Sequence, residues 1–237
     1  MTEIDYRDYF FYIATLITVV SIGYYAWNRH RLPPYFRYLA AFLTMHLTLD
    51  FIAHFLARAG IPNLPLLHLY TLLEFVLLGL FYRSLLRSPY WLPPYFRWFF
   101  GAGVVFIVAN TLFLQAPFEF NSYAKTFSST SIILFALLYF YNSILGEIAA
   151  PQRSGLHLIN TGLFVFYMGT LLIFLFSDFL RRNDQNILFE IWNVNLILSI
   201  LLQSLLLIGL VLVRQGSVDS AQAPPQLNQE LLPGKRN

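Results

Sequence analysis

Seven apolar runs, each close to the roughly 20 residues needed to cross a hydrocarbon core, dominate this chain. They cover 9–27, 35–59, 64–86, 96–115, 124–145, 156–180 and 187–213. Stretches such as 132–138 and 201–207 are apolar without the alternation of a barrel strand. Over such lengths in lipid, a helix satisfies its own backbone polar groups without a partner strand. The fold expected is therefore an all-α membrane protein, a seven-transmembrane-helix bundle. Composition agrees: 57% of the 237 residues are hydrophobic and only 11% charged, where water-soluble domains carry about 25% charge.

The connectors are short and punctuated, with Pro33-Pro34, Gly60 and Pro62, Pro89, Pro117 and Pro151. Successive helices should then be antiparallel neighbours, with no soluble domain between them. The expected organisation is a short N-terminus at 1–8, a transmembrane domain at 9–213 and a polar, disordered tail at 214–237. The start is acidic, with Glu3, Asp5 and Asp8 against Arg7. A signal peptide opens on basic residues, so the first run should remain as a spanning helix. The chain contains no cysteine, which excludes disulfides, thiolate metal ligands and a cysteine nucleophile.

The net charge is +3, but the basic residues cluster at the ends of apolar runs. That placement suits a lipid bilayer and argues against nucleic acid as a partner. With the N-terminus outside, Arg29, Arg31, Arg37, Arg83, Arg87, Arg97, Arg153, Arg214, Lys235 and Arg236 fall inside. Only Arg7, Arg58, Lys125, Arg181 and Arg182 fall outside. The positive-inside bias thus predicts an external N-terminus and a cytoplasmic C-terminus, in a cell membrane, expected to be a bacterial inner membrane. The hexapeptide Leu32-Pro-Pro-Tyr-Phe-Arg37 recurs as Leu92-Pro-Pro-Tyr-Phe-Arg97. Proline suits a first helical turn, and the aromatic and arginine residues suit an interface, so the repeat reads chiefly as two similar helix starts.

Ionisable residues inside membrane helices are costly and usually face a partner or a cavity. Here they concentrate in the second and third runs. His46, Asp50 and His54 are spaced by four along the second; His68 and Glu74 lie on the third. At 1.5 Å rise per residue, His46 and Glu74 fall near mid-membrane and His54 and His68 roughly 8–11 Å further out. Across a tight hairpin, His46 should then face Glu74, and His54 should face His68. Asn195, Ser199 and Gln203 repeat the four-residue spacing on the seventh run. Together these residues predict an outward-facing polar pocket lined mainly by helices two, three and seven. Gly101, Gly103, Gly162 and Gly169 are read as close-packing positions.

Several chemistries are compatible with that pocket. Asp50, His54 and His68 could hold a zinc ion with an open position, which would make the protein a metal-dependent hydrolase acting on a lipid. The ceramidase and progestin-receptor-like superfamily joins seven helices to a histidine-ligated zinc, with paired histidines in its last helix. The seventh run here contains no histidine. A rhodopsin-like retinal Schiff base needs a mid-membrane lysine. The only lysines are Lys125 and Lys235, so none is expected. Buried carboxylates and histidines could also relay protons in a small-solute or proton-coupled transporter. The reading that requires no missing motif is a sensory, receptor-like module responding to a ligand or proton and signalling to a cytoplasmic partner. The segments His68-Leu-Tyr-Thr-Leu-Leu-Glu-Phe75, Phe166-Tyr-Met-Gly-Thr170 and Trp192-Asn-Val-Asn195 carry a resemblance over most of the chain. They are similar to a group of uncharacterised bacterial seven-helix integral membrane proteins. That resemblance implies the fold and brings no activity with it.

Overall fold

A computed structural model describes the backbone at 6–86, 92–145, 150–183 and 185–222, and side chains at 8–86, 95–145, 153–176 and 193–217. Its helices are α1 (Tyr6–Asn28), α2 (Phe36–Arg58), α3 (Leu64–Leu85), α4 (Leu92–Ala109), α5 (Ser122–Ile144), α6 (Ala150–Asn183) and α7 (Gln185–Gln222). A π-helical turn, Asn110–Leu114, ends α4. Among the described residues, seven helices are long and apolar enough to cross a membrane, as a multi-pass membrane protein requires. The expected spans agree closely with them. The tail departs from expectation, because α7 stays helical through Arg214 to Gln222. Ser217 Oγ bonds Val213 O one turn back. Residues 223–237 of the expected disordered tail, and 1–5 of the N-terminus, lie outside the described residues.

Local chemistry sets the helix ends. After α2 the chain reverses through Gly60 at φ +69°. Gly60 N donates to Ala57 O at 3.1 Å and Ile61 N to Leu56 O at 2.9 Å. This is a Schellman closure, which needs a residue free to adopt the left-handed region. α3 then begins with proline in its first turn, where no amide partner is lost. The repeated hexapeptide takes two conformations. Its first copy occupies the turn leading into α2, and its second forms the start of α4. In both, the Phe is buried, Phe36 and Phe96 alike. In both, the Arg lies over the next aromatic ring: Arg37 on Tyr38 at 4.7 Å and Arg97 on Trp98 at 5.8 Å.

The helices close into a ring. α1 packs on α2 and α7, α2 on α3, α3 on α5, α5 on α6, and α6 on α7. α4 lies against α3 and α5. Over half of the α5 span is buried (56%), against 11% for α1 and 17% for α4, so α5 is central and those two are peripheral. The core is built by Phe42, Leu43, Leu78, Ile132, Tyr139 and Leu206, all fully buried. Exposed Leu16, Val105, Leu112 and Leu134 suit a lipid-facing exterior. Asp8 and Arg58 meet at 2.7 Å, which puts the start of α1 beside the end of α2. Arg58 is exposed, so the pair adds about 0–1 kcal/mol at most and mainly marks register.

Two sets of glycines let helices approach. Between α3 and α4 the fit is reciprocal. A Cβ on Gly79 would collide with the Phe100 ring, and one on Gly103 with the Phe75 ring; the two rings stack at 5.4 Å. On α6, Gly155, Gly162 and Gly169 recur every seventh residue and face Gly209, Leu205 and Leu198 of α7. Small residues at such spacing let membrane helices pack closely. The packing role expected for Gly103, Gly162 and Gly169 is what they have, whereas Gly101 meets nothing within 4 Å.

Candidate functional site: a buried polar chain across α2, α3, α5 and α6

On α2, His46 and Asp50 stand one turn apart and share one partner, Tyr70 of α3. The Tyr70 hydroxyl donates to Asp50 Oδ1 at 3.0 Å and also bonds His46 Nδ1. A phenol has one proton. With that proton given to Asp50, His46 Nδ1 carries the hydrogen of the second bond. His46 Nε2 is then a bare acceptor, and it is buried without a hydrogen-bond partner. Phe42 packs on the same ring at 4.3 Å.

One turn along α3, Glu74 is fully buried. Its Oε1 accepts from Lys125 Nζ of α5 at 2.5 Å, and its Oε2 accepts from the Tyr167 hydroxyl of α6 at 3.1 Å. Lys125 is only 6% exposed. Its ammonium lies 5.4 Å from the Tyr167 ring centroid and 5.6 Å from that of Phe174, within cation–π range. Tyr70 and Glu74 stand one turn apart on α3, so the His46–Asp50–Tyr70 group and the Glu74–Lys125–Tyr167 group follow one another as a polar chain through four helices.

This arrangement corrects the expected pairings. His46 meets Tyr70 rather than Glu74, and Glu74 meets Lys125. Lys125, counted among the exterior charges from sequence, sits in the first turn of α5, and its four-carbon stem carries the charge into the bundle. His54 does not face His68. It stacks on Phe11 of α1, with ring centroids 4.2 Å apart. His68 instead bonds Thr111 Oγ1 at 3.1 Å and the Glu119 carbonyl at 3.2 Å. A zinc ion at Asp50, His54 and His68 therefore does not fit this donor set. Among the described residues no group of three or more His, Asp or Glu side chains could hold a metal.

The α7 stripe is apart from the chain, because α7 packs on α6 and α1. Asn195 Oδ1 accepts from Thr170 of α6 at 3.4 Å. Ser199 is half-buried. Gln203 is buried with its Oε1 unpartnered. Within the chain His46, Glu74, Lys125 and Tyr167 are all buried.

Two further networks escaped the sequence reading. Deep in the core, Tyr82 donates to Asn160 Oδ1 at 2.8 Å, and Asn160 Nδ2 donates to Ala136 O at 3.1 Å, tying α3, α6 and α5 together. A buried asparagine in an apolar run was the available signal. At the end of the bundle holding Asp8, Asn121 Nδ2 donates to Thr71 Oγ1 at 2.6 Å and to Leu67 O at 2.9 Å. Gln115 accepts from Asn110 Nδ2 at 3.0 Å and donates to Phe120 O at 2.8 Å. With His68, these bonds fasten the 115–121 connector onto α3. His68→Ala should therefore leave the helices intact but raise amide hydrogen exchange of the 116–121 amides several-fold. Exchange mapped by mass spectrometry checks this, and unchanged protection there would contradict the fastening role.

Family models, curated proteins and solved structures were all compared with the chain, and none matches it, so the functional reading rests on the geometry of these residues.

Proposed function

We propose that this protein is a receptor-like, multi-pass module of a cell membrane, expected to be a bacterial inner membrane, with its N-terminus outside and C-terminus in the cytoplasm. Its responding element is the buried chain from His46 to Tyr167, and the proton is the stimulus that suits it best. The observation that carries this reading is the Glu74–Lys125 pair, buried with Tyr167 at the junction of α3, α5 and α6. Intact, the pair holds net charge out of the apolar core. Neutralising one partner strands the other in a low-dielectric medium, so the arrangement of these helices becomes dependent on protonation. Packed interfaces answer such a change by switching between discrete arrangements. The basic cytoplasmic ends predicted by the charge bias would present the change to a signalling partner. The lipid-hydrolase reading loses its ligand set, since His54 and His68 are committed elsewhere.

The chain's lack of cysteine makes paired labelling clean. Spin labels at Ala59→Cys and Tyr123→Cys, both exposed, report the separation of the α2 and α5 ends. In liposomes this distance is expected to change by several Å on acidification, and Glu74→Gln, which removes the negative charge from the pair, should alter that response. A proton gradient across the same liposomes should persist, separating a sensor from a proton-coupled transporter. One distance at every pH and in both proteins would reduce the chain to a structural tie.

A further inference from the structure

At the end of the bundle opposite Asp8, α1 and α7 part around a groove of about 460 Å3 lined by Val20, Tyr24, Trp27, Asn28 and Arg214. The α1 span ends at Asn28 and the α7 span at Ser217. The groove therefore lies at the level where a bilayer changes from hydrocarbon to headgroup. Its chemistry is one-sided. Arg214 Nε is buried there without a hydrogen-bond partner. The Asn28 amide is spent on Tyr24 O at 3.0 Å. No carboxylate is among its described lining residues.

A guanidinium nitrogen withdrawn from water calls for an acceptor, and its planar fork matches a phosphate or carboxylate. The surroundings choose between a soluble anion and a lipid. Trp27 is 88% exposed, and Leu16 and Val20 are exposed along the same helix. A soluble anion would leave that apolar surface unused, whereas acyl chains would cover it, with the indole at the interface. Arg29 and Arg31 follow directly on α1 and add positive potential at the same level. We propose that this groove seats the phosphate of an anionic phospholipid, held by Arg214, with its acyl chains along α1.

Trp27 is a built-in reporter. The full chain is reconstituted in phosphatidylcholine vesicles doped with acyl-brominated phosphatidylglycerol or, in parallel, with the same amount of acyl-brominated phosphatidylcholine. Quenching due to Trp27 is the part lost in Trp27→Phe. The brominated anionic lipid is expected to occupy the groove about fivefold more than the zwitterionic one, the scale set by one basic side chain at an anionic surface. Arg214→Gln should abolish the preference. Arg214→Lys, which keeps the charge and loses the fork, should reduce it, and this variant decides if the glutamine protein does not fold. Equal quenching by the two lipids in the unaltered chain, or an undiminished preference in Arg214→Lys, overturns the proposal. Loss of the preference in excess inorganic phosphate overturns it too, by making a soluble anion the occupant.

Discussion

Glu74→Leu alone is expected to cost the folded bundle about 3–5 kcal/mol, because it leaves the Lys125 ammonium buried without its counter-charge. Glu74 Oε1 is the acceptor for Lys125 Nζ at 2.5 Å, and Lys125 is otherwise walled by Tyr167 and Phe174. Lys125→Met should be nearly as costly, since it strands a fully buried carboxylate with only the Tyr167 hydroxyl as described donor. The double variant Glu74→Leu with Lys125→Met should recover most of the loss. Replacing a whole buried pair by apolar side chains is often neutral for stability. Unfolding in mixed micelles, read as a double-mutant cycle, checks this. Additive losses would mean that the two side chains do not depend on one another.

Gly155→Ala should be the most damaging single methyl that can be added to the α6–α7 interface. Its Cβ would stand 2.5 Å from Gly209 O and 2.6 Å from Val213 N. Those are backbone atoms of a packed helix and cannot turn aside, so α6 and α7 must separate at that level. The expected cost is about 3 kcal/mol, the upper part of the range for overpacking. Gly169→Ala is the internal control. Its Cβ would meet chiefly the tip of the Leu198 side chain, which can change rotamer. Alanine also gains about 1 kcal/mol of helix propensity over glycine. This variant should therefore stay within about 1 kcal/mol of the original. Thermal transitions of both variants in one detergent test the ranking, and equal losses would refute it.

These contrasts show which parts of the fold are legible in sequence. Span positions are legible because hydrophobic length and proline punctuation are local. The second run, expected at 35–59, is Phe36–Arg58, and the third, expected at 64–86, is Leu64–Leu85. Partnerships across helices are not local. Glu74 is an isolated membrane carboxylate, and that alone demands a counter-charge. The sequence offered only one lysine near the spans, Lys125, yet its position at the beginning of α5 read as exterior. Nothing short of the three-dimensional packing brings α5 against α3 while α4 lies to the side.

The stripe His46, Asp50 and His54 failed for a geometric reason. Each step of four residues exceeds the 3.6-residue turn and rotates the side chain by about 40°. Over two steps the drift reaches about 80°. It takes His54 from the α3 side, where His46 meets Tyr70, to the α1 side, where it meets Phe11. The same drift along Asn195, Ser199 and Gln203 leaves Gln203 buried while Asn195 is half-buried. The π-helical turn at Asn110–Leu114 had no proline or glycine to announce it. It is accompanied by side-chain bonds from Asn110 to Gln115 and from Thr111 to His68, which only the folded chain reveals.

The central claim is that the packing of α3 against α5 and α6 depends on the charge of the buried Glu74–Lys125 pair. The distance between spin labels at Ala59→Cys and Tyr123→Cys, measured in reconstituted vesicles with and without Glu74→Gln, tests this most directly. The predicted result is a separation changed by several Å in Glu74→Gln. The same separation in the two proteins would contradict the claim, and would leave Glu74, Lys125 and Tyr167 as a fixed structural tie.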